Sequence, residues 1–392
     1  MTQRALTVWW GIPCKSAVPV FRAFAEDLGW DDVAFVSLRA MPARRLKLGW
    51  VTPPHGSMPL SVLDDESWRY AVDKQLDTRR GVHIVNGVYH DERVAYVAKR
   101  LASDNRSFGV IMEAPSNLDV GLKRIAKTIL APIITPMRTW SVARKASFVL
   151  SASGDRQKAF ERLGFERDRI FPFGYFPNFP YVERGEASAS ELRVLCIGYL
   201  EPFKGQDCLI QALSLLRARG APFSCAITGF GSAAEDLHSL RDRLGLQGDV
   251  SFEGVVSNER LSELFRWANV LVAPGFEEPW GIRVNEALLS GLPVVVSDGV
   301  GARELVDASG AGEVFTARSA SSLADAMQRA LERLQSGDLM ETVRRFRPRI
   351  EPKSAALYIA QVIDYVEKQS EATSRGVVEP RPSPPWFERQ AL

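Results

Sequence analysis

The chain has 392 residues, 46% of them hydrophobic and 24% charged, with a formal net charge of +2. That composition excludes a disordered or collagen-like chain and gives enough apolar mass for two or three packed cores. Four scattered cysteines (Cys14, Cys196, Cys208 and Cys225) form no CxxC pair, which excludes a disulfide framework or a zinc ribbon and predicts buried thiols in a reducing compartment. The N-terminal residues carry no export signal, and no apolar run is long enough to cross a bilayer, so a cytoplasmic location is expected. The small net charge hides an asymmetry. Residues 1–175 hold 26 Lys+Arg against 18 Asp+Glu, and the remainder holds 23 against 29, so the first half is expected to meet something anionic.

In chain order, β-rich runs at Leu6–Trp10, Val33–Ser37, Val82–Asn86, Phe108–Met112 and Phe148–Ser151 predict strands, with helical patterns between several of them. A helix at Asp155–Leu163 and a last strand at Arg169–Phe173 close this half, residues 1–175. The stretch 176–191 begins FPNFPYVERGEASA, with two prolines and small polar residues, and predicts a linker. The second half, 192–351, alternates more cleanly. Strands at Val194–Gly198, Cys225–Gly229, Val250–Phe252, Val270–Ala273, Val294–Ser297 and Val314–Phe315 alternate with helices at Asp207–Arg219, Ala233–Leu244 and Glu259–Trp267, and a further helix follows near Leu323–Leu334. Strand–helix alternation of this length implies βαβ units and a parallel sheet covered on both faces. A late helix within 352–369 puts Ala356, Ile359, Ala360 and Ile363 on one face, so it should dock. The tail 370–392, with PRPSPPW, is expected to be flexible or extended, with a docked strap as the alternative.

Three short segments carry chemistry. The first is EPWGIRVNEALLSGLPVVVSD, Glu278 to Asp298. Gly281 opens a helix after a strand and a loop, so the amides of Gly281 and Ile282, with the helix dipole, suit a diphosphate. Glu278 and Glu286 are too far apart to share a proton, but they can grip hydroxyls on two rings of one extended ligand. The second is IGYLEPFKGQDCLIQAL, where Gly198 ends a strand and Lys204-Gly205 opens the next helix. There an ammonium can neutralise a leaving diphosphate. The third is TGFGS, with Gly229-Phe230-Gly231 as a strand-end turn that admits close backbone approach.

Together these resemble the donor half of the retaining glycosyltransferases of family 4, which have the GT-B fold. The marks of that family read here as Gly198…Lys204-Gly205, Gly229-Phe230-Gly231, Phe252-Glu253-Gly254 and Glu278…Glu286, followed by a glycine-rich turn GVGAREL. The resemblance implies an α/β protein with two Rossmann-like domains facing across a cleft, the C-terminal helix crossing back onto the first. It implies transfer of a hexose-type sugar from a UDP- or GDP-sugar to an acceptor hydroxyl with retained configuration, in surface polysaccharide or glycolipid assembly. The nucleotide-sugar is then a substrate; no cofactor and no metal are implied. By the same resemblance Glu286 binds the ribose hydroxyls, Glu278 contacts the donor sugar, Lys204 binds the diphosphate, and Gly229–Gly231 with Phe252–Val255, Gly254 among them, frames the base. One departure stands out: Tyr199 occupies the place of the usual arginine, so Arg283 is a candidate for the missing charge.

The first half is the acceptor side by the same resemblance and is less legible. Gly11, in Trp10-Gly11-Ile12-Pro13, admits a donor phosphate or simply ends a strand. Glu113 stands where many relatives place a histidine, and His90 after Asn86-Gly87 is another candidate. Two basic, acid-free stretches explain the charge asymmetry, 39–50 with four Lys/Arg and 120–148 with six. Interleaved with Trp and Leu, they suit the anionic inner face of a membrane and a lipid-linked acceptor; nucleic-acid binding is not expected. The competing readings are another GT-B enzyme, an epimerase or a phosphorylase, and a catalytically degenerate scaffold subunit.

Overall fold

Runs such as FGVIM and VVVS are apolar at successive positions, which suits strands buried on both faces rather than one. In the computed structural model they form two all-parallel sheets. The structure describes residues 4–46, 50–115, 135–183, 190–372 and 380–387. The chain divides into two units, residues 1–178 with 351–392, and 179–350. Both are Rossmann-like α/β halves.

The first unit carries β1 (Ala5–Trp10), β2 (Asp32–Ser37), β3 (Leu60–Val62), β4 (Val82–Val85), β5 (Phe108–Met112), β6 (Phe148–Ser151) and β7 (Ile170–Pro172), ordered β3-β2-β1-β4-β5-β6-β7. The second carries β8 (Leu192–Ile197), β9 (Phe223–Thr228), β10 (Val250–Gly254), β11 (Val270–Ala273), β12 (Val294–Ser297) and β13 (Gly312–Phe315), ordered β10-β9-β8-β11-β12-β13. The order reverses between β1 and β4 in one sheet and between β8 and β11 in the other. At such a switch point the connections leave in opposite directions and open a crevice at the carboxyl ends of the strands.

Three elements differ from the sequence expectation. The edge strand β3 is three residues long and half-exposed, too short for a periodic signal. The helix Arg303–Ser309 follows GVGA directly, and the amphipathic helix Asp338–Phe346 buries Leu339, Val343 and Phe346. Beyond these three elements there is the tail. Residues 380–384 lack regular structure and lead into a turn at 385–387, and the segment is docked, not loose. Trp386 is fully buried against Phe176, and Arg381 lies over the Phe171 ring and donates to the Ile170 carbonyl. Phe176 itself is 1% exposed, and of the stretch expected as a linker, residues 184–189 lie outside the described residues.

The helix Pro352–Ala372 belongs to the first unit and packs on the helix Val18–Glu26, burying Ala355, Ala356, Ile359, Val362 and Ile363. Its sequence stripe thus finds an apolar partner.

Candidate active site

The switch point of the second sheet holds most of the residues singled out above. Cys196 and Ile197 of β8 and Leu271–Ala273 of β11 line a small pocket with Lys204, Gln206, Gly275, Glu278, Gly281 and Arg283. Its floor is the pair of central strands, and its walls are the loops that follow them.

Each loop is held by backbone packed on backbone. Gly205, at φ +71°, lies so close to Pro274 that a Cβ would meet its carbonyl oxygen at 2.2 Å. Gly229, at φ +132°, sits against the Gly198 carbonyl, where a Cβ would come within 1.8 Å. Only glycine combines left-handed backbone with this proximity. The Glu278 amide donates to the Gly299 carbonyl at 3.1 Å, and its carbonyl accepts from Gly301 at 3.1 Å. Glu278 is thereby fixed at both ends of its peptide to the turn after β12.

Two ion pairs furnish the pocket. Lys204 Nζ lies 2.7 Å from Glu278 Oε1, with both side chains about a fifth exposed (19% and 24%). The second joins Arg283 Nη1 to Glu286 Oε2 at 2.5 Å. Gly281, at φ +97°, caps the eight-residue helix Ile282–Leu289, and Arg283 stands in its first turn. Arg283 is 31% exposed, whereas Glu286 is 0% exposed, so the arginine is the half of the pair that reaches the pocket. Beneath them Trp280 Nε1 donates to Asn285 Oδ1 at 2.8 Å, both side chains buried. Burial pushes the Cys196 thiol up to about 12, with Lys204 opposing and Glu278 adding to the shift. The Cys196 thiol is therefore no nucleophile at neutral pH.

Beside the pocket Tyr199 and Phe230 stand edge to face, with centroids 5.3 Å apart and about half of each exposed. Tyr199 directs its carbonyl to Gln206 Nε2 at 3.0 Å. Gly231 packs on Leu200, Gly198 ends β8, and Gly254 ends β10 with φ +66°. The second-unit residues singled out from sequence therefore lie at the ends of neighbouring strands, in the loops just after them, or, for Ile282, Arg283 and Glu286, in the helix that follows β11. Sequence reading did not single out Gln206 or Asn285, and of the Val300–Gly301 turn it found the glycines but not their peptide contacts with Glu278. The helix start after Lys204-Gly205 signalled the first; the others depend on packing.

In the first unit the singled-out residues are Gly11, His90 and Glu113. Gly11 follows β1 with open space where a Cβ would stand. His90 is exposed, its ring 3.9 Å from that of Tyr89. Glu113 follows β5 and accepts a hydrogen bond from the Tyr175 hydroxyl at 2.7 Å. Burial, then the Glu113 carboxylate, raises both the Tyr175 and Tyr89 phenols above their ordinary range. Neither tyrosine was found from sequence, because Tyr175 meets Glu113 only when β7 folds beside β6. Of the basic stretches, residues 47–49 and 120–134 lie outside the described residues. In the described parts Arg45 covers Trp50 and Arg144 covers Trp140, with Leu46, Met137 and Trp140 half-exposed or more.

Among the described residues no helix is long and apolar enough to cross a membrane.

Residues 183–346, all in the second unit, match the family Glycosyl transferases group 1. An alpha-D-kanosaminyltransferase of Streptomyces kanamyceticus is 25% identical over 243 residues, 58% of this chain and 63% of that protein. A GDP-mannose-dependent phosphatidylinositol monomannoside mannosyltransferase of Mycobacterium tuberculosis is 34% identical over 145 residues, 35% of this chain and 38% of its own length. The chain thus spans less than two thirds of these curated relatives. Among solved structures, Anabaena HepE in complex with UDP superposes with a TM-score of 0.68 at 17% identity, covering 92% of this chain and 99% of that one. Sucrose-phosphate synthase of Thermosynechococcus elongatus gives 0.59 at 16% identity, covering 95% and 100%. At these identities the likeness establishes the GT-B fold.

Proposed function

We propose that this chain, which carries a glycosyl transferases group 1 domain, transfers a sugar from a nucleotide-sugar to an acceptor hydroxyl. One observation carries the reading: two cation–carboxylate pairs stand at the β8/β11 switch point of the very domain that matches the family. Lys204 neutralises the departing diphosphate, Glu278 holds a donor-sugar hydroxyl and Glu286 the ribose. Preorganised positive charge at the leaving group is the largest catalytic contribution available here. Positioning of the acceptor against the anomeric carbon supplies the rest.

Transfer with retention follows from the family resemblance, and the pocket's own cations take the part a metal plays elsewhere. UDP and GDP are the nucleotides to test first, since HepE was solved with UDP and the mycobacterial relative is GDP-mannose-dependent. A role in surface polysaccharide or glycolipid assembly, at an anionic membrane, is supported by exposed Leu46, Met137 and Trp140 beside Arg45 and Arg144. Glu113 and Tyr175, with His90, are the proposed acceptor contacts. The experiment is a nucleotide-sugar panel read by thermal shift and by release of free nucleotide. A UDP- or GDP-sugar should stabilise the protein and be turned over. No stabilisation by any nucleotide would sink the reading.

A further inference from the structure

The donor pocket is electrically balanced as it stands. Lys204 is paired with Glu278 and Arg283 with Glu286, two cations with two acids. A diphosphate therefore enters a site whose positive charges already have partners. A ribose hydroxyl approaching Glu286 meets a carboxylate with no exposed surface, bonded to Arg283. Neither half of a nucleotide finds its group free.

We propose that the Arg283–Glu286 pair is a latch opened by the donor's diphosphate. The guanidinium presents planar paired donors that match a phosphate as well as a carboxylate, and Arg283 lines the same pocket as Lys204. As the diphosphate arrives, Arg283 exchanges its carboxylate for phosphate oxygens. Glu286 would then be a buried carboxylate that has lost its Arg283 donor, a costly change, unless the ribose hydroxyls replace that donor. The two exchanges therefore drive each other. A nucleoside alone must displace Arg283 with nothing to receive it, and inorganic pyrophosphate alone takes Arg283 from Glu286 with no hydroxyl to replace it. In this way Arg283 supplies the charge that Tyr199 does not, and it makes diphosphate and ribose recognition a single event. The latch rests on the function proposed above and goes beyond it by coupling two parts of one ligand.

Calorimetric titration of wild type, Arg283→Gln and Arg283→Lys with UDP, GDP, uridine and guanosine tests it, with melting temperature as a check on folding. In wild type, the matching diphosphate should bind about a hundredfold more tightly than its nucleoside, the gap of several charge-assisted hydrogen bonds. Arg283→Gln should weaken the diphosphate about tenfold or more while leaving nucleoside affinity unchanged or higher, so the gap narrows. Arg283→Lys keeps the charge without the fork and guards against misfolding of the glutamine variant; it should narrow the gap by a smaller factor. Equal weakening of nucleoside and diphosphate would assign Arg283 a merely structural role and overturn the latch. An unchanged gap in both variants would overturn it too. Wild-type protein that binds none of the four would overturn the proposed function itself, and the latch with it.

Discussion

At the end of β8 the Lys204 ammonium meets Glu278 at 2.7 Å, while past β5 Glu113 accepts from the Tyr175 hydroxyl at the same distance. The bond lengths match, but the chemistry differs. A lysine ammonium beside a carboxylate can exchange partners with an incoming anion such as a diphosphate. A buried phenol instead fixes the orientation of the acid and suits a neutral, polyhydroxylated ligand. Under the proposed function, two sheets of the same parallel kind would furnish their strand ends for different tasks, charge handling in the second unit and hydroxyl recognition in the first. Damage confined to one unit should therefore leave the other's ligand alone.

The largest break comes from the tail. Trp386→Ala empties a fully buried site against Phe176 and should cost the first unit about 3–5 kcal/mol in urea unfolding. Nucleotide affinity of the protein that remains folded should be unchanged; a parallel loss would break the comparison. Lys204→Ala should do the reverse, lowering kcat about 10²- to 10³-fold with stability nearly intact. Steady-state transfer assays beside thermal melts check both halves of that expectation.

His83 on β4 sharpens the contrast through pH. It is fully buried, accepts from Trp9 Nε1 at 3.2 Å, and is pushed down to about 4, by burial first and then by Arg106 and Arg79. Between its ordinary value of 6.5 and about 4, the unfolded chain holds a proton that the native state refuses. Stability is thus complete above pH 6.5 and falls as pH drops through this window, by about 3 kcal/mol for this one group. His83→Gln should remove that share of the acid loss, read as the difference between wild type and variant in urea melts at pH 7 and 4.5. The smallest effect is expected at Tyr175→Phe, which deletes the hydroxyl that orients Glu113. Acceptor KM should rise by about tenfold, one lost hydrogen bond to a charged group, with nucleotide affinity unmoved. A change in nucleotide affinity instead would erase the division of labour.

Much of the second unit was legible because its local rules agree with one another. Gly205 and Gly229 have to be glycine where loops pack backbone on backbone, and Glu278, Lys204 and Gly281 sit at strand-to-helix junctions that periodicity alone locates. The Arg283–Glu286 spacing of three was also open to view as a helical ion pair, although spacing does not say that the acid is fully buried. The first unit was less legible because its site is assembled from distant pieces. Tyr175 reaches Glu113 across 62 residues, a contact set by strand order rather than by any motif. The choice between a loose and a docked tail was closed to sequence for a similar reason. A proline-rich tail is extended by local preference, but the surface that receives it, built around Phe171 and Phe176, is not written in the tail.

At the β8/β11 switch point the proposed function rests most on Glu286 holding the ribose of the donor nucleotide. Titration of UDP and GDP into wild type and Glu286→Ala, with matched melting curves, tests it most directly. Wild type should bind one of the two nucleotides, and the folded variant should lose about tenfold or more of that affinity, the worth of charge-assisted bonds to ribose. Equal affinity in wild type and folded variant would contradict the account.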